Sequence, residues 1–209
     1  MILASGMARS VNVNPRKTPR QERSGRMNRF ILEAAARVLE EDGPAGFNTN
    51  RVAERAGISV GSLYQYYPNK AALLFRLHEL ESADTLGTIS ALLGDDSKSP
   101  RERVAAAVRA FFETEAAEAP LREGLGLAQV YFRDSAEFAV TERRAIEVIR
   151  RFLMEVQPGR RGRREFDARF MSTVLASVSE SITQRGVQGR ELRRWADECS
   201  EMLCNHVGL

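Results

Sequence analysis

Three short stretches of this chain hold residue types that could do chemistry. Gly57-Ile58-Ser59-Val60-Gly61 has the spacing of the Gly-x-Ser-x-Gly elbow that presents a nucleophilic serine in hydrolases. That elbow needs a strand ahead of the serine, to strain the turn and expose the hydroxyl. Here Val52, Ala53 and Ala56 recur at helical steps instead, and neither His78 nor His206 sits in a base signature. Ser59 reads better as the N-cap of a helix. Cys199, Glu201, Cys204 and His206 form the second group. Five residues along a helix turn the two thiols ~140° apart, so a shared metal would require the helix to fray. Cys199 also falls on an apolar stripe with Trp195, which marks it as packing. No catalytic residue, metal ligand or cofactor is expected, and the chain does not read as an enzyme.

The third stretch, residues 48–70, carries the information. It reads as two short helices, the first bearing Val52, Ala53 and Ala56 and capped by Asn48 or Thr49. The second runs from about Val60 to Tyr66. Between them Ala56-Gly57-Ile58-Ser59 has the length and the glycine of a helix-turn-helix turn. In that motif the second helix enters the major groove with its N-terminal residues against base edges. Val60, Gly61 and Ser62 are slim enough for that approach, and Gln65 can make a bidentate contact with adenine. Ser62, Tyr64, Tyr66 and Lys70 are donors suited to phosphate oxygens. Leu63 and Tyr67, four apart, face inward as the motif's own core. Packing alone would explain Gly57, Leu63 and Tyr67.

The elements around it follow from periodicity. Phe30, Ile31, Ala34, Ala35, Val38 and Leu39 make a helical stripe that Gly43-Pro44 ends. Asn69 caps a longer helix through Leu73, Leu74, Leu77, Leu80 and Leu86 to Gly94. Beyond the polar break 95–100, amphipathic runs continue to the end, with a basic loop at 158–164 and a turn at 186–189. Nothing alternates like a strand. The expectation is all-α, about nine helices. The expected division is a flexible basic arm (1–23), a helix-turn-helix DNA-binding domain (24–70), a connecting helix (71–94) and a helical effector-binding and dimerisation domain (95–209).

Of the 209 residues 43% are apolar, enough for a substantial core. Net charge is only +3, yet residues 1–30 hold seven arginines and lysines against Glu22 alone, leaving the rest mildly acidic. A basic head suggests a polyanionic partner at one end. No apolar run approaches the ~20 residues that span a bilayer, and Met1–Met7 lacks the charge and length of a secretory signal. Two cysteines make no disulfide framework. The chain reads as soluble and cytoplasmic, with no membrane partner.

The run from Val52 to Lys70 resembles the signature of the TetR family of bacterial transcriptional regulators, with Phe30–Gly43 and Leu73-Leu74 fitting the flanking helices. Tyr67 stands where that family more often has Phe, and Pro68 falls at a variable turn position. The resemblance implies phosphate contacts from Thr49, Ser62, Tyr64, Tyr66 and Lys70. It implies base-edge contacts from some of Val60, Gly61 and Gln65, with Asn50 a further candidate. It also implies a homodimer through the last two helices, with Phe170, Val174, Val178, Ile182, Trp195, Cys199, Met202 and Leu203 as candidates. A small-molecule effector would bind among the middle helices, with Phe111, Phe112, Gln129, Tyr131, Phe132, Arg133, Phe152 and Glu180 as candidate walls. The function implied is a ligand-responsive repressor that leaves a palindromic double-stranded DNA operator when effector binds. The alternative is a helical protein–protein adaptor without sequence-specific DNA binding.

Overall fold

The computed structural model describes residues 11–15 and 22–209, the side chains of 22–24 excepted. Arg9, Arg16, Lys17 and Arg20 of the expected arm lie outside the described residues, as does the side chain of Arg23. Residues 11–15 are not a free tether: Val13 is fully buried, Asn14 donates to Glu137 at 2.6 Å, and Asn69 donates to the Asn12 carbonyl at 3.1 Å.

Among the described residues there are nine α-helices and no strand. They are α1 (Glu22–Gly46), α2 (Thr49–Arg55), α3 (Val60–Tyr66), α4 (Lys70–Leu93), α5 (Pro100–Ala117), α6 (Ala119–Ala128), α7 (Ala136–Val156), α8 (Arg164–Gln184) and α9 (Gly189–Val207). A 3-10 turn, Gln129–Tyr131, follows α6. The sequence writes most of these boundaries locally. α1 kinks at Gly43, whose φ of 63° suits glycine alone, and Pro44 starts the final turn. Ser99 and Glu102 close a reciprocal capping box at the start of α5, with Pro100 in the first turn, where its missing N–H costs nothing.

The chain divides into two compact units. The first comprises residues up to His78 together with Gly124–Ala139, and the second comprises Glu79–Glu123 and Val140–Leu209. In the first, Ile31, Ala35, Val38 and Leu39 of α1 are buried, as are Leu63, Tyr67, Leu73 and Leu74. Phe132 is buried there too, with Phe75 edge-on at 5.7 Å and with His78 and Phe138 on its other sides. Gly124 is required by close approach, since a β-carbon would sit 3.0 Å from Leu39 Cγ. In the second unit α5 lies along α9, and α8 packs on both. Val104, Val108, Phe112, Phe152, Leu153, Ala196, Leu203 and Val207 form its core.

Candidate functional site

Helix α2 is set on α1 by charge. Arg51 pairs with Asp42 at 2.8 Å, and Arg55 makes a two-pronged pair with Glu41. The hydrogen bond from Arg55 holds the Glu41 carboxyl below the usual carboxylate range and raises Arg55 in turn. Asn48 caps α2, its side chain accepting from the Arg51 N–H at 3.0 Å. Gly57 then makes the turn at φ 67°, a left-handed conformation that side chains resist. The Ile58 N–H reaches back to the Ala53 carbonyl at 3.0 Å. Ser59 caps α3 through the Ser62 N–H, also at 3.0 Å. Cap, turn and cap leave α3 little freedom of direction.

Helix α3 is two-faced. Leu63 is fully buried and Tyr67, just past its end, is 1% exposed, with its hydroxyl donating to Asn28 at 2.6 Å. On the outward side Gly61, Tyr64 and Gln65 are exposed, while Val60, Ser62 and Tyr66 are half-buried. A β-carbon built on Gly61 would meet only Ser59 Oγ, at 3.9 Å, so that side opens onto solvent. Thr49 and Tyr64 share a hydroxyl–hydroxyl bond of 3.1 Å, and Ser59 and Ser62 another of 2.8 Å. Asn50 is exposed on α2. The structure therefore joins Thr49 to Tyr64 in one hydroxyl pair and Ser59 to Ser62 in another, the second at the slim start of α3. Hydroxyls of this kind can donate to phosphate oxygens while exposed Gln65 reaches a base edge.

Lys70, at the start of α4, is more constrained than its residue type foretells. Its ammonium donates to the Pro44 carbonyl at 2.6 Å, lies 4.4 Å from the centre of the Tyr131 ring, and is 3.4 Å from that residue's hydroxyl. The Phe47 ring is 5.8 Å away. Sequence reasoning missed this neighbour because 61 positions separate Lys70 from Tyr131 and no local pattern joins them.

The effector candidates separate. Phe111 and Phe152 line an apolar cavity of about 200 Å³ in the second unit, whereas Phe112 is wholly core. Gln129, Tyr131, Phe132 and Arg133 belong to the first unit, Phe132 buried and Arg133 exposed. Glu180 is exposed on α8, accepting from Gln184 at 3.3 Å. The dimer candidates separate as well. Ile182, Cys199 and Leu203 are buried by their own chain. Phe170, Val174, Val178 and Trp195 are half-buried, and Met202 is 46% exposed. Phe166, unforeseen, is 58% exposed and stacks on Phe170, which in turn stacks on His206 at 4.3 Å.

The cysteines follow the packing reading. Both are buried, and desolvation pushes the Cys199 thiol up to about 11 and raises Cys204 in the same direction. The basic loop is pinned: Arg160 donates to the His206 carbonyl and Arg164 to those of Gln157 and Pro158. Among the described residues no cluster of His, Cys, Asp and Glu could hold a metal ion, and no helix is long and apolar enough to cross a membrane.

An all-helical chain whose N-terminal unit presents an outward recognition-type helix is a helix-turn-helix protein. Residues 31–77 match the family model described as bacterial regulatory proteins, tetR family. Over 75 residues the chain is 33% identical to the nucleoid occlusion factor SlmA of Vibrio campbellii and 32% identical to that of Vibrio vulnificus. Each match covers 35% of this chain and 38% of the relative, so little more than a third of those proteins' length is spanned. The fold extends much further. The structure of the fatty acid degradation regulator FadR from Bacillus halodurans superposes with a TM-score of 0.70 at 18% identity, covering 84% of this chain and 96% of that one. SmeT, the repressor of the Stenotrophomonas maltophilia multidrug efflux pump SmeDEF, gives 0.68 at 19% identity, covering 86% and 89%. Residues 31–77 thus carry a tetR-family regulatory region, and the fold of most of the chain is shared with FadR and SmeT.

Proposed function

We propose that this protein is a DNA-binding transcriptional regulator, working as a homodimeric repressor whose hold on a near-palindromic operator is released by a small molecule. The observation that carries the reading is the two-sidedness of α3. Leu63 and Tyr67 anchor it from behind, while Gly61, Tyr64 and Gln65 stand outward, Tyr64 beside the Thr49 hydroxyl of α2. A helix held only for packing would have no reason to leave a glycine in open space at its leading edge.

Dimerisation would use the apolar strip on α8, Phe166, Phe170, Val174 and Val178, with Trp195 and Met202 of α9. Phe166 and Met202 are too exposed to serve the core of their own chain. Two α3 helices one turn of DNA apart, about 34 Å, would read two half-sites and double the phosphate contacts. The apolar cavity of the second unit is the natural effector site, and the triclosan complex of SmeT is one solved case of a small molecule on this fold. An effector would act only through its different affinity for the DNA-bound and free conformations.

The test is a titration of purified protein against palindromic and scrambled duplexes at several salt concentrations. The regulator reading expects a preference for one palindrome and an affinity that falls steeply with salt. An adaptor would show no palindrome preference, and binding indifferent to salt would remove phosphate contacts from the account.

A further inference from the structure

The cavity of the second unit carries a charge signature that narrows its ligand. Seventeen residues line it, and apart from Thr85, Ser172 and Glu142 all are apolar. Glu142 is the single ionisable group among them. It stands on α7 as an exposed residue at the edge of the lining, and partial desolvation against the apolar wall raises its carboxyl above the ordinary range. The arginines that follow it in sequence face elsewhere. Arg143, Arg144 and Arg151 line a separate open groove of about 590 Å³ together with Glu79 and Glu147.

The lining from α4 adds to this. Thr85 accepts a hydrogen bond from Arg122 at 3.1 Å, which brings one guanidinium to that wall. Arg122 is surrounded by carboxylates: Glu118 at 2.8 Å, with Glu81 and Glu115 each at 3.4 Å. Burial raises the Glu81 and Glu115 carboxyls, yet three carboxyls still engage the one guanidinium and leave it no free charge to offer the cavity. The cavity is thus an apolar slot with one carboxyl on its lining, no cation among the lining residues, and the nearest guanidinium already engaged by carboxyls. A carboxylate or phosphate placed there would meet repulsion without a partner, at the cost that attends an unpaired desolvated charge.

Resting on the effector reading above, we infer that the ligand of this cavity is a compact lipophilic amine or other organic cation, its apolar body among Phe111, Ile149 and Phe152 and its charged group at Glu142. Size follows from volume: a ~150 Å³ hydrocarbon-lined cavity takes benzene, so about 200 Å³ holds a one- or two-ring body. Thr85 and Ser172 supply neutral hydrogen-bonding groups for orientation.

Three probes with one body and three charges test this by calorimetry on the full chain: naphthylmethylamine, naphthalenemethanol and naphthoate. The amine is expected to bind about tenfold tighter than the alcohol, the scale of a hydrogen bond to a charged partner, with naphthoate weakest. Glu142→Gln should erase the advantage of the amine while leaving the alcohol unchanged. Ala176→Phe, which crowds the rim from an exposed position, should weaken all three. Equal binding of the three, tightest binding of naphthoate, or an unchanged ranking in Glu142→Gln overturns the charge assignment and leaves the cavity as an effector site. Amine binding indifferent to Ala176→Phe, or no binding by any probe, overturns the effector site and this inference with it.

Discussion

Gly61→Ala separates a helix built for DNA from a helix built for packing, because the two demands pull in opposite directions. Gly61 has a helical backbone, and a methyl group added there meets nothing closer than Ser59 Oγ at 3.9 Å. Replacing a helical glycine by alanine at an unstrained site stabilises by about 0.5–1 kcal/mol. For a chain of this size that is worth roughly 1–4 °C in the unfolding midpoint. If the leading edge of α3 lies against DNA, the same methyl projects into the contact. An overpacked interface costs about 1–3 kcal/mol, or roughly 5–150-fold in affinity. Thermal unfolding and fluorescence anisotropy on one duplex measure both quantities. The expected result is a protein that is more stable and binds DNA more weakly. Gly126→Ala serves as control, since Gly126 is exposed in the same unit and its added β-carbon also meets nothing within 4 Å. It should stabilise without touching affinity. Undiminished binding by Gly61→Ala would refute the placement of α3 against DNA.

Further outcomes follow from other contacts. Lys70→Ala should reduce the slope of log affinity against log salt by about 0.9 per protomer. Tyr131→Ala should weaken DNA binding about two- to fivefold through the loss of the ring that orients Lys70, and should do nothing further in a Lys70→Ala background. An equal loss in both backgrounds would make Tyr131 a purely structural residue. Tyr67→Phe removes the bond to Asn28 and should cost about 1 kcal/mol by denaturant titration, with affinity per folded molecule unchanged. Glu142 gives a pH signature. Its raised carboxyl means that the folded chain holds the proton more readily than the unfolded chain, so the ionised form subtracts stability at neutral pH. Glu142→Gln should therefore unfold later than the parent at neutral pH, with the gap closing as the pH falls into the carboxylate range. A gap that widens instead would contradict burial as the cause.

The recognition unit was legible because its grammar is local. Asn48, Ser59 and Asn69 cap helices within three residues of themselves, Gly57 marks the turn, and the four-residue step from Leu63 to Tyr67 marks the inward side. What could not be read is which distant faces meet. Tyr131 and Phe132 sit on an apolar stripe that says they pack, and nothing in the stripe says they pack against Lys70 and Phe75 in the first unit. Phe111 and Phe112 are neighbours of the same type, yet one lines a cavity and the other fills a core, a difference set by α5's rotation against its partners. Ile182 and Leu203 show the same ambiguity: helical spacing marks both as apolar, and only the packing of α5, α8 and α9 places them inside one chain. Glu142 was invisible for the opposite reason, being one more charged residue on an amphipathic helix until the cavity beside it is seen.

Dimethyl sulfate footprinting on a duplex selected by the protein from random sequence asks the decisive question, since the reagent marks guanine N7 in the major groove and adenine N3 in the minor groove. With α3 seated as described, bound protein should shield guanine N7 in two patches about one helical turn apart, and Gln65→Ala should open a position within each. Protection confined to adenine N3, or no protection of either groove at saturating protein, would contradict the claim that this helix reads DNA.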